Sequence, residues 1–281
     1  GGRKLDNELL KLLFPQWQGS VEDKNLYNGV QSIKKQLLQN KDFEEIQVSL
    51  DEDLVEKNNV IGYDVIREQL NEAVKVLNKH KPKKIFLIGG DCGTELAPVT
   101  YLNKKLDGDL YLLWLDAHGD LNTPESSPSK AFHGMPLRAI LGEGDPDILG
   151  LCYSHLSPKQ VSLAGGRDFD QPEIDFIKAN NIINLSIDEI KKSNIDLNYI
   201  KEKGYKNIYI HLDLDTLDPK SFPDVMLPVE KGFDFETVLK FLKDLKNNYN
   251  IAGFSIQEFS PIGEDNVALL ADLVDFGLSI G

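Results

Sequence analysis

Cysteine is scarce in this chain. Cys92 and Cys152 are the two among 281 residues, and they form neither a CxxC pair nor a disulfide framework. That excludes a small disulfide-stapled module and points to a reducing, cytoplasmic setting. Basic charge is also short: 31 Lys and Arg stand against 45 Asp and Glu, for a formal net charge of −14. Such a surface argues against nucleic acid or an anionic membrane as partner and suits a cationic small molecule. No apolar run approaches the ~18 residues of a membrane span, and no signal-peptide pattern opens the chain. Nucleotide and serine-hydrolase signatures are missing too: there is no GxGxxG after a strand, no P-loop and no GxSxG elbow.

What is present is enough apolar material for a core, at 41% of residues, arranged in short β-rich runs that alternate with helical patterns. The clearest strands are expected at 84–88, 110–115, 207–212 and 251–256, with weaker ones at 46–50, 161–164 and 182–186. They are nearly continuous in apolar residues, as strands covered on both faces are. Helices are expected over 65–78, over 235–245 with Asp234 as N-cap, and over 265–278. No internal repeat or low-complexity linker interrupts the pattern. The alternation predicts an α/β chain whose mostly parallel sheet lies between helices, in one domain over residues 1–281. Function in such sheets gathers beyond the carboxyl ends of the strands.

Charged residues concentrate there. Asp116, His118 and Asp120 follow the run at 110–115, and at alternate spacing in an extended chain they face one side. Asp213 and Asp215 repeat the spacing at the end of another strand. Four carboxylates brought together repel, and leaving them unpaired in a low-dielectric cleft costs several kcal/mol per ion. Either they take up protons or cations sit among them. Oxygen donors with one imidazole suit Mn²⁺ or a similar borderline-hard ion better than a thiolate-loving one.

These residues resemble the ureohydrolase superfamily, which includes arginases, agmatinases and formiminoglutamases. Residues 114–120, Trp-Leu-Asp-Ala-His-Gly-Asp, look like its DAHxD signature. Residues 211–219, His-Leu-Asp-Leu-Asp-Thr-Leu-Asp-Pro, resemble its second metal motif, DxDxxDP. Gly89-Gly-Asp-Cys92 falls where the family has Gly-Gly-Asp-His. Residues 121–124, 132–136, 166–170 and Gln257-Glu258 are in register, and the loop from Asn122 to Ser129 is most similar to arginase-like members. The resemblance implies a three-layer α/β/α sandwich and a binuclear Mn²⁺ centre. One ion would be held by residue 92, Asp116, Asp120 and Asp213, and the other by Asp116, His118, Asp213 and Asp215. Metal-bound hydroxide would then hydrolyse a guanidino or amidine C–N bond, releasing urea or an amide plus an amine. By the same matching, Asp120 manages the nucleophile's proton, His133 passes a proton to the leaving amine, and Glu258 pairs with the cationic head. Asn122, Thr123, Ser129 and Asp170 would hold the rest of the substrate. A trimer or hexamer is the assembly implied.

Several positions depart from the family. Cys92 puts a thiol where an imidazole is usual, which favours Zn²⁺ or Fe²⁺ over Mn²⁺ if it ligates. It also opens the alternatives of a one-metal or a non-catalytic relative. Ala131 stands where arginases keep an amide, and Met226-Leu227-Pro228 makes a bulkier loop at the mouth. An arginine-like amino acid is the first substrate expected, with agmatine, formiminoglutamate or another guanidino acid as alternatives.

Overall fold

The computed structural model describes residues 8–21, 24–192 and 197–281. Among these residues, eight strands form one sheet. They are β1 (Leu9–Phe14), β2 (Glu44–Glu45), β5 (Lys84–Gly89), β6 (Tyr111–Leu115), β7 (Val161–Ala164), β8 (Ile183–Leu185), β9 (Asn207–Asp213) and β10 (Asn250–Gln257). Two short strands, β3 (Glu56–Lys57) and β4 (Val60–Ile61), pair antiparallel as a separate hairpin. The order across the large sheet is β2-β1-β5-β10-β9-β6-β7-β8, and every neighbouring pair is parallel.

Side-chain alternation along the strands explains the three layers. On β6, Tyr111, Leu113 and Leu115 enter one apolar cluster, while Leu112 and Trp114 enter the other. On β9, Ile208, Ile210 and Leu212 take the first face and Tyr209 the second. Both faces are therefore buried, which is why the runs read as continuous apolar sequence. Helices Asn25–Leu37, Phe235–Asn248 and Ala271–Leu278 cover the first face. Helices Tyr63–His80 and Leu96–Lys105 cover the second. None of the described helices is long and apolar enough to cross a membrane.

The three-layer α/β/α expectation holds, and Asp234 caps its helix by accepting from the Thr237 N–H. Three details differ. The strand expected at 46–50 is shifted: pairing occurs at Glu44–Glu45, and the chain then leaves the edge. Ile46 still donates to the Leu13 carbonyl, but Trp17 and Gln18 take the Ser49 carbonyl with their side chains, so the ladder stops. The helix expected over 265–278 begins as a 3₁₀ stretch, Asp265–Leu270, and becomes α-helical at Ala271. Strand β1 lies outside the runs that the sequence pattern marks, yet it pairs along its full length with β5.

Candidate metal centre

The four central strands lie side by side in the order β5-β10-β9-β6, and polar residues stand at or just beyond the end of each. β5 leads into Asp91 and Cys92. β6 leads into Asp116, His118 and Asp120. β9 ends at Asp213 and turns through Asp215, and β10 leads into Glu258.

Local backbone chemistry aims these groups. Asp213 caps the 3₁₀ turn Leu214–Thr216, its Oδ1 accepting from the Asp215 N–H at 2.8 Å. Asp116 does the same for His118, again at 2.8 Å. In each case one carboxylate oxygen is tied to backbone and the other is left for the centre. Asp91 caps the turn Cys92–Glu95 by accepting from the Gly93 N–H, and its other oxygen accepts from the Gly19 N–H, each at 2.8 Å, which fixes the start of the turn that carries Cys92. Asp120 and Glu258 both have positive φ, 50° and 68°. Such backbone is rare for residues other than glycine and clusters at functional sites.

Two donor groups result. Ligand-type atoms of Cys92, Asp116, Asp120, His211 and Asp213 lie within 4.8 Å of one another, and so do those of Asp116, His118 and Asp215. Asp116 belongs to both. The Cys92 Sγ is 3.3 Å from an Asp213 oxygen and 4.0 Å from one of Asp116. His118 Nδ1 is 2.8 Å from Asp215, and its Nε2 is 3.2 Å from Asp168. All six expected ligands, Cys92, Asp116, His118, Asp120, Asp213 and Asp215, are thus brought together.

The electrostatics describe a site short of positive charge. Burial, reinforced by the neighbouring aspartates, drives the Asp213 and Asp120 carboxyls well above the ordinary range. Asp215 is pushed up to about 6, by burial first and then by Asp116. Asp116 goes the other way: burial opposes it, but hydrogen bonds from His118 and His211 outweigh that and hold it well below the usual range. Burial, then Asp213, raises the Cys92 thiol. Cations among the carboxylates would remove this repulsion. The donor set fits them, since carboxylate oxygens, imidazole and one sulfur span Mn²⁺ to Zn²⁺ chemistry.

Above the donors opens a cleft of about 110 Å³ whose wall includes Asn122, Ser129, His133, Asp170 and Glu258. That volume suits a small ligand. His133 Nδ1 lies 2.6 Å from Glu258 Oε1, while the buried Glu258 Oε2 has no hydrogen-bond partner. Asn122 donates to Asp170 at 2.9 Å. Thr123 is not among the residues that line the cleft, and it trades backbone and hydroxyl hydrogen bonds with Ser126. Met226 and Leu227 stand at the mouth, where the bulkier loop is expected.

Sequence reasoning passes over several residues that the fold adds. His211 is fully buried among the donors. The signal for it was available: 211, 213 and 215 alternate like 116, 118 and 120. Glu95, Asp168 and Ser127 carry no comparable pattern and are placed only by the fold.

Fold and site define a metal-dependent hydrolase of small molecules, and the comparisons narrow the class. The model of the Arginase family matches residues 22–274, and the chain belongs to that family, hydrolases of guanidino C–N bonds. The arginase of Staphylococcus aureus (strain MRSA252) is 32% identical over 222 residues, covering 75% of this chain and 72% of its own. Among solved structures, the Entamoeba histolytica arginase in complex with L-ornithine superposes with a TM-score of 0.85 at 22% identity, covering 98% of both chains. Proclavaminate amidino hydrolase from Streptomyces clavuligerus shares the fold at a TM-score of 0.70 and 19% identity, covering 97% of this chain and 91% of its own. The geometry does not favour a non-catalytic relative, because Cys92 stands inside an intact donor group.

Proposed function

We propose that this chain is a single catalytic domain that hydrolyses the guanidino group of a small arginine-like substrate, with two divalent cations at the floor of the cleft. One observation carries the reading: two donor groups joined by Asp116 lie beneath a wall where Glu258 keeps one buried carboxylate oxygen unpaired. A carboxylate so placed fits a guanidinium, which offers paired N–H donors in one plane.

Cys92, Asp116, Asp120 and Asp213 would hold one cation, and Asp116, His118, Asp213 and Asp215 the other. The bound ions would supply Lewis acidity and water activation near neutral pH. Glu258 Oε2 orients the guanidinium so that its carbon faces the floor. Asp120 accepts a proton from the attacking water. His133 gives one to the leaving amine. Burial opposes charge on its ring, but Glu258 outweighs burial and raises its pKa above the ordinary value, which favours the protonated ring as the donor. Asn122, Thr123, Ser129 and Asp170 form the region that receives the amino-acid end. Mn²⁺ is the ion implied by kinship, Zn²⁺ or Fe²⁺ by the thiol. A homo-oligomer, trimeric or hexameric, in the cytoplasm completes the reading.

The test is elemental analysis of purified protein together with a urea- and ammonia-release screen over arginine, agmatine and other guanidino compounds. Release from an arginine-like compound at about two ions per chain supports the reading; loaded protein that releases nothing from any of them overturns it. Asp213→Ala should lose bound metal, and equal metal content in variant and parent would reject the ligand assignment.

A further inference from the structure

The inner donor group holds an imidazole that the family motif does not supply. Position 92, where the family has histidine, is a cysteine here, and His211 enters the same space from β9, two strands away from β5. Strand register makes this possible. His211 pairs with Trp114 on β6 and with Ser255 on β10. Its ring stacks on Trp114 with centroids 3.5 Å apart and planes 15° apart.

Glu95 fixes the ring's orientation. Its Oε2 lies 2.6 Å from His211 Nδ1, and the same oxygen accepts from Ser255 Oγ at 2.6 Å. Its Oε1 accepts from the Tyr209 hydroxyl, also at 2.6 Å. In the neutral ring, with Nδ1–H donated to Glu95, the Nε2 lone pair faces the donors. Nε2 is 3.1 Å from Asp116 Oδ2 and 3.8 Å from Cys92 Sγ. Two acceptors 3.1 Å apart need a positive centre. One proton could serve that pair alone, whereas five donors converge on the same point. Four donors at Zn–N, Zn–O and Zn–S bond lengths around one ion sit about 3.3–3.8 Å apart. The observed separations, 3.1, 3.3, 3.8 and 4.0 Å, bracket that range. A carboxylate behind the far nitrogen of the ring is the usual support of a metal-bound histidine.

We propose that His211 is the imidazole ligand of the inner cation, replacing the histidine missing at position 92, with Glu95 as its positioning residue and Cys92 as a sulfur ligand beside it. The inner position then prefers Zn²⁺ or Fe²⁺ to Mn²⁺, because its donor set contains nitrogen and thiolate as well as carboxylate. This rests on the metal-centre reading above.

The test uses the full chain, stripped of metal and titrated with Zn²⁺, Mn²⁺ and Co²⁺ against a competing chelator. Wild type should bind two ions, the tighter one favouring Zn²⁺, and Co²⁺ there should show a thiolate charge-transfer band that C92S abolishes. His211→Gln should keep one ion and weaken the tight one at least 100-fold. Glu95→Gln should weaken it about 10- to 100-fold. The double variant C92H/H211Q, which returns the imidazole to position 92, should regain two ions, and it decides the matter if H211Q alone does not fold. Two unchanged affinities in H211Q, or a double variant that folds with one ion only, overturn the inference while leaving the metal centre standing. Wild type that binds no ion sinks the metal centre itself and this inference with it.

Discussion

At the scale of single residues, the site is a balance between burial and charge. Without cations, His211 has burial working against its charged form, yet hydrogen bonds to Asp116 and Glu95 outweigh that and push it up to about 9. His118 follows the same logic and rises to about 12. A histidine whose folded pKa exceeds its unfolded value contributes stability that is complete below the unfolded value and fades as pH rises toward the folded one. Metal-stripped protein should therefore lose thermal stability between pH 6.5 and 9. Metal-loaded protein should not follow it down, because cation binding strengthens as ligands lose protons. Melting curves of both forms across that window check this, and a stripped protein that grows more stable with pH contradicts it. At the opposite wall, Glu258 is the group expected to meet the guanidinium. Glu258→Gln removes a charge-assisted pair and should raise KM for a guanidino substrate about 10- to 150-fold with metal content unchanged. Steady-state kinetics beside elemental analysis would separate the two.

At the scale of elements, the strands place the chemistry and the helices hold the strands. Gly277 in the helix Ala271–Leu278 lies directly on the Phe86 ring of β5, so that a Cβ there would collide with the aromatic face. Phe86 in turn stacks on Phe254 of β10, with centroids 5.7 Å apart. Gly277→Ala should cost about 1–3 kcal/mol by overpacking. It should lower Tm by about 2–4 °C per kcal/mol, yet leave metal content near the parent's, because the substitution lies against the sheet face and away from the strand ends. A calorimetric scan with metal analysis tests both halves. Arg167 does a different job. Its guanidinium donates to the carbonyls of Gly165, Asp215, Val229 and Glu230, tying the loop at the cleft mouth to the end of β9.

At the scale of the whole molecule, metal and fold are thermodynamically linked. A ligand that binds the native chain and not the unfolded one adds about 2.7 kcal/mol when present at 100 times its Kd. Chelation should therefore lower Tm, and readdition of the preferred ion should restore it. An unchanged melting point on chelation of metal-loaded protein would argue against cations at the strand ends. The arrangement that makes this linkage strong is the sheet order. β5, β10, β9 and β6 are far apart in sequence, yet they lie side by side and pool their terminal carboxylates.

Much of this is legible in the amino-acid sequence. Continuous apolar runs determined that the strands are buried on both faces, a property of the local backbone, and the spacing of Asp116, His118 and Asp120, and of Asp213 and Asp215, marks residues that do gather; they reach the centre through the positive φ of Asp120 and the 3₁₀ turn Leu214–Thr216, not through an extended alternation. The tertiary structure alone decided which strands are neighbours. It set Trp114 beside His211, brought Glu95 behind the ring and placed Cys92 among the aspartates of two other strands. No local pattern encodes those contacts. They arise from register and strand order, which are settled when the two apolar faces are buried together.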